Sequence, residues 1–517
     1  MLASATGPAE KPVIRVAPGK VDVLATAGEA ALRASLLPIF QRGDALVRPL
    51  CWEIAASDQR TTIAAGLKKI TQPAMIDLLA QAADWVEYDG RAKRDAPCDP
   101  PELVAKVILS RCGFWTVPPI AGVITTPTLR RDGSILAEPG YDPATRLFYM
   151  PDPGLVMPAV GANPSRADAV YALELLQALL SEFPFVADVD RAVAISGMIT
   201  AVTRGAFSVA PLHAFRAPTA GTGKSFLVDL ASAIATGRIC PVAAASPKEE
   251  ELEKRLVALL LSGFPCISVD NVNGILGGDF LCQAIERPLL RVRPLGRSEI
   301  IEIESRATLF ATGNALRVAG DMTRRTLVCD LDAKMEHPED RTFSFDPVQR
   351  VLADRGQYVG ACLTIVRAYL QAGSPGLLKP LASFGGWSDL VRSSLVWLGC
   401  ADPVQSVQAA RDDDPELGAL RQVLILWQAC FGERAMTARQ VADSVAGFDP
   451  NGFGGARLLD LRNALAEGNV AGVRGTVDAT RLGYWLRKVK GRIANGIRFT
   501  TDGIDRSGVT KWSVVKG

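Results

Sequence analysis

The sequence predicts an α/β protein: a P-loop nucleotide-binding core, an N-terminal α/β domain ahead of it and a C-terminal winged helix. Three observations carry this prediction. A glycine-rich stretch, Pro218 to Ser225, lies between an apolar segment of strand length and a segment with helical apolar spacing. Two further short apolar runs end in polar residues, one in Asp270-Asn271 and one in Asn314, as buried parallel strands do where they reach a site. Near the end, a basic segment of helical spacing precedes two short strand-like runs.

The glycine-rich stretch reads Pro-Thr-Ala-Gly-Thr-Gly-Lys-Ser. Pro211 to Ala217 suits a buried strand, and Phe226 to Ala235 suits a helix that Gly237 can end. Strand, glycine turn and helix start form the context in which such a loop cradles phosphate. Its glycines let the backbone curl so that N–H groups point inward, and the helix N-terminus adds its positive dipole end. The expected nucleotide-binding residues are Thr219, Ala220, Gly221, Thr222, Gly223, Lys224, Ser225 and Phe226. Lys224 can reach the β- and γ-phosphates, and the Ser225 hydroxyl can ligate Mg²⁺. One position departs from the usual pattern. Pro218 stands where a glycine is customary, and proline supplies a fixed turn but no N–H.

At 517 residues the chain has room for three or four domains, and 48% hydrophobic with 22% charged residues is a globular composition. A net charge of +2 says little, so local charge matters more. Ten cysteines are scattered without a C-x-x-C pair, which argues against a zinc ribbon and for buried free thiols in a reducing cytosol. With two histidines, His213 and His337, a histidine-rich metal site is excluded, and His213 is expected in the core. The first dozen residues lack a basic start followed by an apolar core, so no signal peptide is expected. The apolar run Leu256 to Val269 is interrupted by Gly263 and Pro265 and is too short to span a bilayer. The expected compartment is the cytoplasm.

Residues 1–12 read as a frayed terminus and 13–160 as the N-terminal α/β domain. In it, Glu29 to Leu37 should be a helix that stops at Pro38, and Met75 to Ala83 another. Val47 to Leu50 should precede a strand. Arg131-Asp132-Gly133 and Glu138-Pro139-Gly140 should turn hairpins between Thr126 and Tyr149. The nucleotide core spans 161–345. Asn163-Pro164-Ser165 can cap a helix running to about Glu182. Asp188-Val189-Asp190 starts the next helix, where two first-turn acids suit the dipole better than they suit a metal. Glu249 to Leu261 is helical, and Cys266 to Asp270 is a buried strand whose terminal acid, Asp270, is expected to hold Mg²⁺-bound water. Asn271 follows where many ATPases carry a water-activating glutamate. Arginines alternate with apolar residues at Arg291, Arg293 and Arg297, a pattern that fits either a hairpin projecting them towards DNA phosphates or a solvated edge. Ala307 to Asn314 is a third core strand, and Arg324 and Arg325 follow it.

Residues 346–415 read as a helical region and 416–517 as the winged helix. Leu417 to Cys430, a helix capped by Thr437, Leu458 to Ala466 and Thr480 to Val489 are helical, with a glycine-rich loop at 447–455. Ile497 to Thr500 and Val509 to Val514 are strands, with Asp502-Gly503 and Ser507-Gly508 in the loop between them. From 481 to 517 nine basic residues stand against two acids, so Arg487, Lys488, Lys490 and Arg492 are the expected DNA-binding residues of this domain.

The ordered set APTAGTGKS, CISVDN, ATLFATGN and GDMTRR resembles the replicative helicase-like ATPases of phages and prophages. These are the primase–helicase or superfamily-3-like proteins of the wider AAA+ group. PGYDPATRLFYMP (139–151) is similar to the segment before the ATPase in such proteins, and WSDLVRSSLVWLGCADP (387–403) to their helical region after it. The resemblance runs from about Glu29 to the C-terminus. It implies an AAA+-like, DNA-stimulated ATPase with ATP and Mg²⁺ as cofactors, acting on single-stranded or forked DNA. It implies a homo-oligomer, with a hexamer as the expected form, and a separate primase, because no primase module is evident in this chain. By the same resemblance Lys224 and Ser225 belong to the loop, Asp270 is the metal acid and Asn314 the sensor. Arg324 or Arg325 would act on a neighbouring subunit's nucleotide, and either could instead pair within its own chain. The expected function is ATP-dependent DNA unwinding or translocation in phage-type replication. Two alternatives fit the same motifs: an AAA+-like ATPase that loads or remodels a partner, and a DNA-binding regulator that binds ATP without turnover.

Overall fold

The computed structural model describes residues 11–55, 61–246, 248–293, 300–447, 455–467 and 476–517. They form a mixed α/β chain that divides into two compact units. The first comprises Met1–Gly274, Gly278–Leu316 and Arg325–Ser406; the second Ile275–Gly277, Arg317–Arg324 and Val407–Gly517. The expected frayed terminus, up to residue 10, and most of the glycine-rich 447–455 loop lie outside the described residues.

The first unit opens with strand Val13–Val16 pairing in parallel with Asp84–Asp89, which pairs in turn with Arg94–Pro97. Helices Val21–Ala34, Gln72–Ala82 and Glu102–Ser110 pack around a core of Leu24, Leu32, Leu79, Trp85 and Ile108. The first helix begins earlier than expected and stops at Ser35, before Leu36 takes a left-handed φ of 57°. Pro49 lies inside strand Ala45–Ala55 rather than before a strand. It is tolerated because the neighbouring Phe40–Arg42 strand pairs only as far as Val47, so the missing N–H breaks no ladder. Arg131-Asp132-Gly133 turns the hairpin of Thr128–Leu129 and Ile135–Leu136. Glu138-Pro139-Gly140 instead links two hairpins. The second hairpin, Gly140–Asp142 with Leu147–Tyr149, turns where Asp142 accepts the Thr145 N–H at 2.9 Å.

A five-stranded, all-parallel sheet organises the unit, in the order Val242–Ala244, Cys266–Asp270, Thr308–Asn314, Leu212–Ala217, Thr326–Asp330. Its three middle strands are almost continuously buried rather than alternating, as parallel strands covered on both faces are. The three expected core strands are present. Thr326–Asp330 and the short edge strand Val242–Ala244 complete the sheet. Helix Asp188–Thr203 packs on the sheet where Gly197 leaves room for two rings: a Cβ there would lie 3.3 Å from Phe310 and 3.4 Å from His213. His213 is fully buried, its Nε2 lies 3.0 Å from Ser196 Oγ, and desolvation lowers its pKa to about 3. It is a neutral core residue. Asp190 accepts the N–H groups of Ala187 and Asp330, each at 2.8 Å, so this acid serves the helix start and the neighbouring strand.

Ser165 and Asp168 form a capping box at the head of helix Arg166–Leu179. The expected helical region after Asp346 opens with two helices, Pro347–Ala353 and Arg355–Gln371, divided at Asp354. Trp387 to Trp397 is helical with a π-helical turn at Ser388–Arg392, and the buried Trp387 donates its indole N–H to Thr200 Oγ1 at 2.8 Å.

In the second unit, Asp414 caps helix Pro415–Phe431 by accepting the N–H groups of Glu416 and Leu417. It also accepts the Gly320 N–H at 3.0 Å, tying the 317–324 segment to that helix. Helices Ala438–Ala446, Gly455–Leu465 and Ala479–Val489 enclose a core of Trp427, Val441, Leu461, Leu482, Leu486 and Phe499. A three-stranded antiparallel sheet closes it, in the order Met436–Thr437, Thr510–Lys516, Ile497–Ile504. The last hairpin is longer than expected. Asp502-Gly503 falls inside the strand as an irregularity, because Gly503 adopts φ 72° and shifts the register between Thr501 and Ile504. Among the described residues no helix is long and apolar enough to cross a membrane.

Candidate functional site

The C-terminal ends of the three middle strands meet at a cavity of about 780 Å³ in the first unit. Its lining includes Ala220 to Phe226, Asp270, Asn271, Thr312, Gly313 and Asn314. The convergence follows from strand order: Thr308–Asn314 lies between the strand that feeds the glycine-rich loop and the strand that ends in Asp270. Asn314 stands in register with Ala217, one residue before Pro218.

The loop needs its glycines. Gly221 and Gly223 have φ of 75° and 100°, in the left-handed region. A Cβ at Gly221 would also meet the Glu339 backbone nitrogen at 2.9 Å, and one at Gly223 the Phe183 ring at 3.1 Å. Gly223 is the N-cap of helix Lys224–Thr236, so Ser225 and Phe226 sit in its first turn. The Lys224 ammonium donates to Thr219 O at 2.8 Å and to Thr222 Oγ1 at 3.1 Å. Burial pulls its pKa below the usual value, and the Asp270 carboxylate opposes that shift.

Thr312 joins the two polar strand ends. Its hydroxyl donates to Asp270 Oδ1, while the Asn271 N–H approaches the same hydroxyl at 3.4 Å. Asn271 adopts φ 57°, which asparagine and aspartate tolerate better than most residues. The side-chain oxygen of Asn314 is buried without a hydrogen-bond partner, an orphaned polar atom in the lining of the cavity. A helix N-terminus, a lysine, a hydroxyl and a carboxylate around one cavity can hold an anion together with a divalent cation. In that arrangement Ser225 and Asp270 are the oxygen ligands available to the cation.

The remaining expected residues lie elsewhere. Arg325 is buried and its guanidinium is paired with Glu286, whose other carboxylate oxygen takes the Ser383 hydroxyl at 2.7 Å. Of the two arginines, Arg324 is the exposed one, 3.2 Å from Asp321. Arg291 lies on the exposed face of hairpin Leu289–Val292 and Ile301–Glu304, opposite Glu302 at 2.8 Å, with Arg293 just beyond the strand. Arg297 lies outside the described residues.

The C-terminal basic residues are engaged by different groups. Arg487 stacks over the ring of the exposed Tyr484 at 4.7 Å. Lys488 and Arg492 both turn towards Glu416, at 3.1 and 3.7 Å, and Lys490 bonds Thr501 Oγ1 at 3.1 Å.

Several cavity residues carried no sequence signal. Thr312 was legible only as part of an apolar strand. Leu179, Glu182, Phe183, Phe343, Phe345, Asp346 and Pro347 line the cavity from outside any motif.

No family model matches the chain, and no curated protein matches it. The solved structures similar to it include two described as the A form apo structure of the NrS-1 C terminal region, one of them with the region given as 305–718. Each has a TM-score of 0.35 and 13% sequence identity, and covers 88% of this chain and 94% of the other.

Proposed function

We propose that the chain is a P-loop ATPase of the AAA+-like kind that couples ATP hydrolysis to DNA unwinding or translocation in phage-type replication. The observation that carries this is the convergence on one cavity of the glycine-rich loop, Asp270 and Asn314, each from a different strand of a single parallel sheet. The ordered motifs in the sequence support the same reading.

The loop amides and the head of helix Lys224–Thr236 take up phosphate charge. Lys224, already steered by Thr219 O and Thr222 Oγ1, adds a positive charge where charge builds in the transition state. Ser225 and Asp270 would hold Mg²⁺, which would supply positive charge to offset that of the phosphates. Thr312 orients the Asp270 carboxylate through its hydroxyl. Asn314, with its amide oxygen free, can orient a water at the far end of the nucleotide. One observation favours an ATP-binding regulator instead: Asn271 stands where a water-activating carboxylate is customary. ATP hydrolysis measured with and without single-stranded DNA separates the two. DNA-stimulated turnover supports the proposal, and tight ATP binding without turnover supports the regulator.

The proposal includes assembly, because the resemblance implies that the arginine completing the site comes from a neighbouring subunit. With Arg325 held by Glu286, that role falls to Arg324. ATP should promote oligomers, and mixing Lys224→Ala subunits with Arg324→Ala subunits should restore part of the turnover that each lacks alone. A protein that stays monomeric in light scattering at full activity defeats this prediction.

We place DNA at the second unit, read as a winged helix: helices followed by a long hairpin, with a basic and aromatic helix face at Tyr484 and Arg487. Neutralising Arg487, Lys488, Lys490 and Arg492 together should lower DNA affinity about tenfold or more and flatten its salt dependence. ATP turnover without DNA should be unaffected. Arg487→Ala alone should account for more of the loss than Arg492→Ala, because Arg492 already shares Glu416. Unchanged affinity across a salt titration would make this unit a protein-docking module.

A further inference from the structure

Beyond the loop and the polar strand ends, the lining includes Leu179, Phe183, Phe343, Phe345 and Pro347, which make up an apolar and aromatic part of the cleft. A guanidinium stands against each of its outer rings, Arg341 at 4.9 Å from the Phe343 centroid and Arg350 at 4.1 Å from that of Phe345. The strap carrying these rings is tied down at its base: Arg341 donates to Glu182 O, and the Ser344 N–H donates to the Glu182 carboxylate at 3.1 Å. Two further lining carboxylates are already engaged by backbone. Glu182 takes Ser344, and Asp346 takes the N–H groups of Val348 and Gln349 at 2.8 and 3.1 Å.

We infer that this cleft holds the nucleobase by aromatic stacking rather than by reading its hydrogen-bonding edge, so that the site accepts nucleoside triphosphates with little discrimination between purines. The inference rests on the phosphate reading of the loop. Every base has a π-face, and stacking is therefore tolerant of identity, whereas strong rejection needs side chains committed to the base edge. The neighbouring carboxylates hold the strap instead. Phe343 is 52% exposed, so its replacement opens no core.

The test is equilibrium competition against a fluorescent ATP analogue, using the full chain in Mg²⁺, with ATP, GTP and inorganic tripolyphosphate as competitors. GTP should compete within a few-fold of ATP. Phe343→Ala should weaken both nucleotides about tenfold while leaving tripolyphosphate unchanged, and adding Phe345→Ala should deepen that loss. GTP binding more than about 100-fold weaker than ATP, or a Phe343→Ala protein that binds ATP as the wild type does, overturns the inference while leaving the loop reading intact. A wild-type protein that binds neither ATP nor tripolyphosphate defeats the loop reading, and the base cleft falls with it.

Discussion

Lys224→Ala is expected to lower ATP turnover by at least about 100-fold, the scale of losing one aimed electrostatic group from a transition state. The side chain makes two hydrogen bonds, both to its own loop, so its removal leaves no distant partner stranded in the core. The loop shape rests on Gly221 and Gly223, not on the lysine, and the thermal unfolding midpoint should therefore stay near that of the wild type. The check pairs a turnover assay with a melting curve. Wild-type hydrolysis by a folded mutant would mean that the glycine-rich stretch is a structural turn and nothing more.

Asp270→Ala should remove Mg²⁺-dependent turnover by a similar factor, through a different cause. Asp270 ends a buried strand, receives the Thr312 hydroxyl and opposes the desolvation of Lys224. On the proposed reading its loss takes a cation ligand away, and it leaves Thr312 without the acceptor that fixes its hydroxyl. Asn271→Asp should be tolerated or raise activity, because aspartate accepts the left-handed φ of 57° and returns a carboxylate beside Asp270. A Mg²⁺ titration of turnover separates the two variants. Normal Mg²⁺ dependence in Asp270→Ala would take this residue out of the site.

Local patterning located much of the fold. A glycine turn between an apolar strand and a helix announces itself, because glycine enters the left-handed region without strain and a short, largely apolar run beside it suits a buried strand. Thr437 and Ser165 were readable as caps for an equally local reason: a hydroxyl three residues from a free N–H closes the first turn. Pro49 misled, since whether a strand tolerates proline depends on where the neighbouring strand stops, which no local pattern records. Gly503 misled in the same way, because a glycine at a turn and a glycine at a bulge look alike until the partner strand sets the register.

By itself the sequence determined the loop, the acid at the end of its strand, the polar end at Asn314 and the basic C-terminus, all of which depend on residue type and near neighbours. Only the tertiary structure decided which of these meet. Strand order, a long-range property, seats Thr308–Asn314 between the loop strand and the acid strand and so brings Thr312 against Asp270. Burial, equally non-local, separates two adjacent arginines, locking Arg325 onto Glu286 and leaving Arg324 at the surface. The aromatic wall at Phe343 and Phe345 has no periodicity to mark it, because a strap is placed by what it packs against and not by its own spacing.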